Sequence, residues 1–135
     1  MEKNAGGTGF SVIERGYMVE RSHKDYLQDI LDAMNKAQSF VSGMDYEAFK
    51  NDDKTTYAVI RALEVIGEAT KHVPDNLRQK YPGVPWQDMA GMRDVLIHAY
   101  FGVDIETVWL TVTDKISQVK PVIEKVVRET SNEKG

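Results

Sequence analysis

The chain has no cysteine, which excludes disulfides and thiolate zinc sites and fits a reducing, cytoplasmic compartment. Basic charge is not in excess either. The net charge is -4, so no global positive field draws the chain to nucleic acid, and any RNA contact has to come from a local patch or one created by assembly. No apolar run approaches the roughly 18 residues that a bilayer span needs, and the N-terminus lacks the charged-then-apolar layout of a signal peptide. These absences describe a soluble protein with no membrane partner. No pair of His and carboxylate residues has metal-ligand spacing, so neither metal nor cofactor is expected. No segment alternates apolar and polar residues as a strand would.

What is present fits one domain of 135 residues, 41% hydrophobic and 28% charged. Residues 1–21 stand apart: Asn4-Ala5-Gly6-Gly7-Thr8-Gly9 is flexible and polar, and the apolar residues after it are aperiodic. They read as a flexible or non-native extension, with the functional domain beginning near Met18. Residues 22–130 form the helical domain and residues 131–135 a disordered tail.

Ser22 is a good N-cap, and Tyr26, Leu27, Ile30, Leu31, Met34, Ala37, Phe40 and Val41 recur at helical spacing, giving a first helix to about Val41 that Gly43 closes. Tyr46 to Phe49 is a connector of about one helical turn. Asp53 opens a second helix to Val73, stopped by Pro74; Tyr57, Ile60, Leu63 and Ile66 lead its wide apolar surface. Residues 76–81 form a short helix, followed by the loop Pro82-Gly83-Val84-Pro85. Trp86 begins a third helix ending at Gly102. Asp104 caps a fourth, whose residues Ile105, Trp109, Val112, Ile116, Val119, Ile123 and Val126 make a heptad seam, with a kink expected at Pro121. The expected fold is all-α, an up-and-down four-helix bundle with short extra helices.

Chemistry concentrates in Arg93-Asp94-Val95-Leu96-Ile97-His98-Ala99-Tyr100-Phe101-Gly102. An arginine and a histidine together can bind a phosphate and move a proton near neutral pH. On a wheel of about 100° per residue, Met92, Val95, Leu96 and Ala99 share the core face, and Arg93 and Tyr100 nearly overlie one another. His98 projects about 140° from Arg93, with Ile97, Phe101 and Asp94 between them. Ile97 and Phe101 make a second apolar face opposite the core stripe, which a second copy of the chain could cover across a two-fold axis. Arg93 and His98 would border that interface, so two copies could pool them in one cleft. Asp94, four residues before His98, is placed to hold the imidazole in one tautomer. From the residues alone, however, Arg93 and Asp94 are better explained as rim charges in ordinary salt bridges worth about 0–1 kcal/mol each.

Beyond this decamer the residues have plain structural roles. His23 and His72 read as surface residues, and Trp86 and Trp109 as core or interface anchors. Arg61 and Glu64 either pair with each other or reach the motif cleft. Gly67 inside a helix costs about 1 kcal/mol against alanine, which points to a close helix approach there. Lys71, Arg78 and Lys80 read as scattered surface charge.

Arg, four residues, His, one residue, Tyr resembles the signature of HepT-like proteins of the HEPN superfamily. The resemblance extends to Arg61-Ala62-Leu63-Glu64-Val65-Ile66-Gly67-Glu68-Ala69, to Val84-Pro85-Trp86 with Met89-Ala90-Gly91-Met92-Arg93, and to Phe101-Gly102-Val103-Asp104 with Val108-Trp109. It covers roughly residues 22–128. It implies a HEPN-like helical homodimer acting as a metal-independent ribonuclease, the toxin of a toxin–antitoxin module. Arg93 would hold the scissile phosphate and His98 would serve as general acid or base. Asp94 would support them, and Ile97 and Phe101 would lie in the dimer interface. Tyr100 corresponds to the tyrosine that the partner antitoxin, a minimal nucleotidyltransferase, modifies with AMP. The rival expectation is a non-catalytic HEPN protein that binds a partner or a nucleotide.

Overall fold

The structure, a computed structural model, describes residues 20–94, 96 and 104–133. Every element among these residues is helical and no strand occurs among them. The elements are α1 (His23–Phe40), α2 (Tyr46–Lys50), α3 (Asp53–Lys71), α4 (Asp75–Lys80), α5 (Trp86–Ala90) and α6 (Ile105–Leu110). A π-helical segment (Thr111–Lys115) then leads into α7 (Ile116–Ser131). No helix among the described residues is long and apolar enough to cross a membrane.

α1 starts where Ser22 meets the Asp25 carboxylate, which accepts the Ser22 backbone N–H at 2.9 Å. Its Leu27, Ile30, Met34 and Ala37 are buried, and it packs against both α3 and α7. Gly43, at φ 80°, adopts the left-handed conformation that turns the chain away after α1. α2 bridges α3 and α6, with Phe49 fully buried against the Trp109 ring at 5.2 Å. Both tryptophans are thus anchors: Trp109 is half-buried against Phe49, and Trp86 is buried and donates its indole N–H to the Tyr81 carbonyl at 3.0 Å.

Several boundaries differ from expectation. The cap of α3 is Asp52, whose carboxylate accepts from Thr55 N–H at 3.0 Å, and Asp53 is the first helical residue. α3 ends at Lys71, and Arg78 reaches back to cap that end, donating to Thr70 O of the helix at 2.8 Å and to Val73 O just beyond it at 3.1 Å. Arg78 is therefore a cap, not scattered charge. Tyr57, counted in the apolar stripe of α3, is 68% exposed and lies off the buried face. The helix begun at Trp86 is not continuous: Gly91 ends α5 in a turn, and helical geometry resumes at residues 92–94.

The seam of the last helix is also altered. Val108 is buried where only Ile105 and Trp109 were expected, and these two are half-buried. The chain runs helically through Pro121, and the departure from α geometry lies upstream, at Thr111–Lys115. There Thr111, Thr113 and Ser117 hydroxyls donate to the carbonyls four residues back, at 2.7, 2.9 and 3.2 Å. Such back-bonding competes for those carbonyls and loosens the regular ladder. At the other end, residues 131–133, assigned above to a tail, are engaged: Lys24 donates to the Glu133 carbonyl at 3.0 Å, and the Glu133 carboxylate lies 3.6 Å from Lys80.

Candidate active site

The segment that carries Arg93 is seated from three sides. Before it, Trp86 and Met89 are buried and pin α5 to α3. Beneath it, Gly67 of α3 leaves room for close approach: a Cβ there would stand 3.3 Å from Met89 O, 3.5 Å from Arg93 N and 3.7 Å from Met92 Cβ. After it, Leu96 is buried at 2% exposure. The close approach expected at Gly67 is thus present, and what approaches is the backbone of the motif itself.

Seated this way, Arg93 and Asp94 are both exposed, on consecutive positions of one helical turn that Asp94 N closes onto Gly91 O at 3.1 Å. A fixed backbone with an exposed guanidinium suits an anion arriving from solvent, because a planar fork can meet phosphate oxygens in pairs. His98, Tyr100, Ile97 and Phe101 lie outside the described residues.

Arg61 does not belong to this seat. It stands 3.7 Å from Glu64 and is 75% exposed, about 120° around α3 from Gly67. There it lines, with Lys36, Phe40 and Asp32, a groove of about 400 Å³ between α1 and α3. His23 and His72 are surface residues as expected; the His72 ring stacks on Tyr26 at 4.4 Å and lies 3.8 Å from Glu68.

A larger cleft of about 680 Å³ opens beside the Arg93 turn, between α5 and the α6–π–α7 run. Gly91 and Met92 form part of its wall, and Met34, Ile66, Met89 and Val119 contribute apolar surface. Its rim is polar, carried by Gln87, Asp88, Thr111, Asp114, Lys115 and Gln118. Local sequence patterns do not single out these rim residues, apart from Thr111 in the run of hydroxyl residues at 111, 113 and 117 ahead of a proline.

α5 is positioned from outside as well. Tyr81, which receives the Trp86 indole, donates its hydroxyl to Glu129 of α7 at 2.5 Å. That hydrogen bond, then burial, then the Glu129 and Glu133 charges hold the phenol protonated and push its pKa up to about 12. Among the described residues no three His, Asp or Glu side chains gather as a metal ion would need.

Comparison with known proteins is consistent along most of the chain. The profile of the ribonuclease HepT-like family matches residues 30–126. A probable ribonuclease HepT of Thermococcus cleftensis is 49% identical over 108 residues, covering 80% of this chain and 98% of that protein. "Putative RNase MJ0125" of Methanocaldococcus jannaschii is 49% identical over 112 residues, 83% of this chain and 97% of its own length. "Putative RNase TTE0752" of Caldanaerobacter subterraneus is 41% identical over 109 residues, 81% of this chain and 94% of its own. No solved structure matches the chain significantly.

Proposed function

Because the chain belongs to the HepT-like ribonuclease family, we propose that it cleaves RNA with Arg93 and His98 as the reacting pair. What supports this most directly is the seat of Arg93, an exposed guanidinium on a turn clamped at Gly67 and anchored at Leu96. Arg93 binds the scissile phosphate and stabilises the charge that grows on it as the phosphorus becomes five-coordinate. His98 takes the proton of the neighbouring 2′-hydroxyl as its oxygen attacks phosphorus, and an imidazolium returns a proton to the departing 5′-oxygen. The products are a 2′,3′-cyclic phosphate and a free 5′-hydroxyl, and no metal takes part. Asp94, one turn before His98, orients the imidazole.

The working unit is a homodimer joined through Ile97 and Phe101, which brings the Arg93 and His98 of both copies to one cleft. The module is a toxin–antitoxin pair. Its nucleotidyltransferase antitoxin transfers AMP from ATP to the Tyr100 hydroxyl, releasing pyrophosphate. Bulk and negative charge beside Arg93 then repel RNA.

Purified protein assayed on RNA with EDTA present tests the reaction. Wild type is expected to cut, and Arg93→Ala and His98→Ala to lose about a hundredfold or more in rate. Wild type cutting no better than the two variants would end the catalytic assignment. The partner claim is read separately, as a mass increase of one AMP on Tyr100 after incubation with the nucleotidyltransferase and ATP.

A further inference from the structure

The cleft beside Arg93 combines features that a flat, polar-edged ring needs. Its volume of about 680 Å³ falls within the usual range for small-molecule sites, about 300–1,000 Å³. Its apolar surface includes the methionines Met34, Met89 and Met92 beside Ile66, Ile116 and Val119, and their thioethers are adaptable and favour contact with aromatic rings. Its rim is weighted toward hydrogen-bond acceptors. Asp88 and Asp114 offer carboxylates. Gln118 spends an amide N–H on Asp114 at 2.9 Å, leaving its carbonyl available. The Thr111 hydroxyl donates to Thr107 O at 2.7 Å and keeps its lone pairs. The π segment turns Thr111, Asp114 and Lys115 onto one rim, an irregularity of the kind often found at functional sites.

We propose that this cleft binds a nucleobase carrying an exocyclic amine, with the attached phosphate toward Arg93, and that its acceptor-rich rim discriminates against uracil. The proposal rests on the ribonuclease reading above and names the substrate feature read next to the cut. Met92 lines the cleft and Arg93 follows it directly, so base and phosphate sites are adjacent in the chain. The rim carboxylates repel a phosphate within the cleft, while Lys115 on the rim and Arg93, next in the chain to the lining residue Met92, attract one outside it. Adenine, cytosine and guanine present amino groups to those carboxylates. Uracil presents carbonyl oxygens and a single ring N–H, so it leaves acceptor facing acceptor.

The test uses the full chain with 13C-labelled methionine methyl groups, titrated separately with AMP, CMP, GMP, UMP and ribose 5-phosphate. The Met34, Met89 and Met92 methyls should shift with at least one amino-bearing nucleotide, at a concentration about tenfold below that needed for UMP. Met44, which does not line the cleft, should stay put. Asp114→Asn, at an exposed position, should cut that preference several-fold without altering the circular dichroism spectrum. Equal response to UMP overturns the proposal, as does an equal response to ribose 5-phosphate or no shift in the three methyls. The titration is independent of turnover. A chain that cuts RNA but shows no such shifts loses the base site alone, and one that shows them but cuts nothing loses the ribonuclease reading alone.

Discussion

The backbone nitrogen of Arg93 rests over Gly67, 3.5 Å from where a Cβ on that glycine would stand, and the Met89 carbonyl is closer still at 3.3 Å. Both neighbours are backbone atoms, so neither can rotate away as a side chain would. The backbone that carries the Arg93 side chain is therefore seated on a residue of α3 that has no side chain to contribute.

Gly67→Ala separates stability from activity at this contact. Alanine gains up to about 1 kcal/mol in helix propensity, which offsets the cost of pushing Met89 and Arg93 back by a few tenths of an ångström. Thermal unfolding should stay within about 1 kcal/mol of wild type. RNA cleavage should fall tenfold or more, because small misplacement of a charge-stabilising group is expensive in rate. Unchanged cleavage with unchanged stability would show that the seat does not govern the reacting geometry.

That contact also marks what the sequence could disclose. A glycine amid Ile66, Glu68 and Ala69 is conspicuous in a helix, so a close approach was legible, but its partner was not, because contacts between distant segments leave no local pattern. The Gly91 break was hidden for the opposite reason. Met89, Met92 and Leu96 keep helical spacing across it, so periodicity continues where the hydrogen-bond ladder does not. Tyr57 misled because an aromatic at the right spacing looks like core, and nothing local reveals that its side chain stays exposed on α3. Arg78 was taken as surface charge because a side chain reaching back to Thr70 and Val73 is a tertiary event. The proposed pair of Arg93 and His98, by contrast, rests on the resemblance of their type and spacing to the family signature, since the residues alone favoured ordinary rim charges.

Alkaline pH should unlock the tie between Tyr81 and α7. The folded pKa, about 12, lies above the ordinary phenol value of 10.0. A raised value means that the stabilisation is complete below the unfolded pKa and is lost as pH rises through the folded one. Denaturant unfolding at pH 8 should show Tyr81→Phe less stable than wild type by about 1–2 kcal/mol, the scale of a hydrogen bond to a charged acceptor. The gap should begin to close above the unfolded value and be largely gone once pH passes the folded one. A gap that stays constant across this window would mean that the Glu129 bond does not hold the phenol protonated.

A shared cleft makes a prediction that a site confined to one chain does not. Arg93→Ala and His98→Ala proteins should each be inactive alone, yet subunit exchange between them yields about half heterodimers if mixing is random. In such a heterodimer one arginine and one histidine survive, on different copies, and both face the same cleft. Mixing should restore a measurable fraction of wild-type cleavage, and it should do so only after time for exchange. Phe101→Glu, which would put a charge on the proposed interface, should drive the protein toward monomer in sedimentation and abolish the rescue. If the mixture stays inactive although mass spectrometry shows heterodimers, each copy must use its own arginine with its own histidine, and the composite site is wrong.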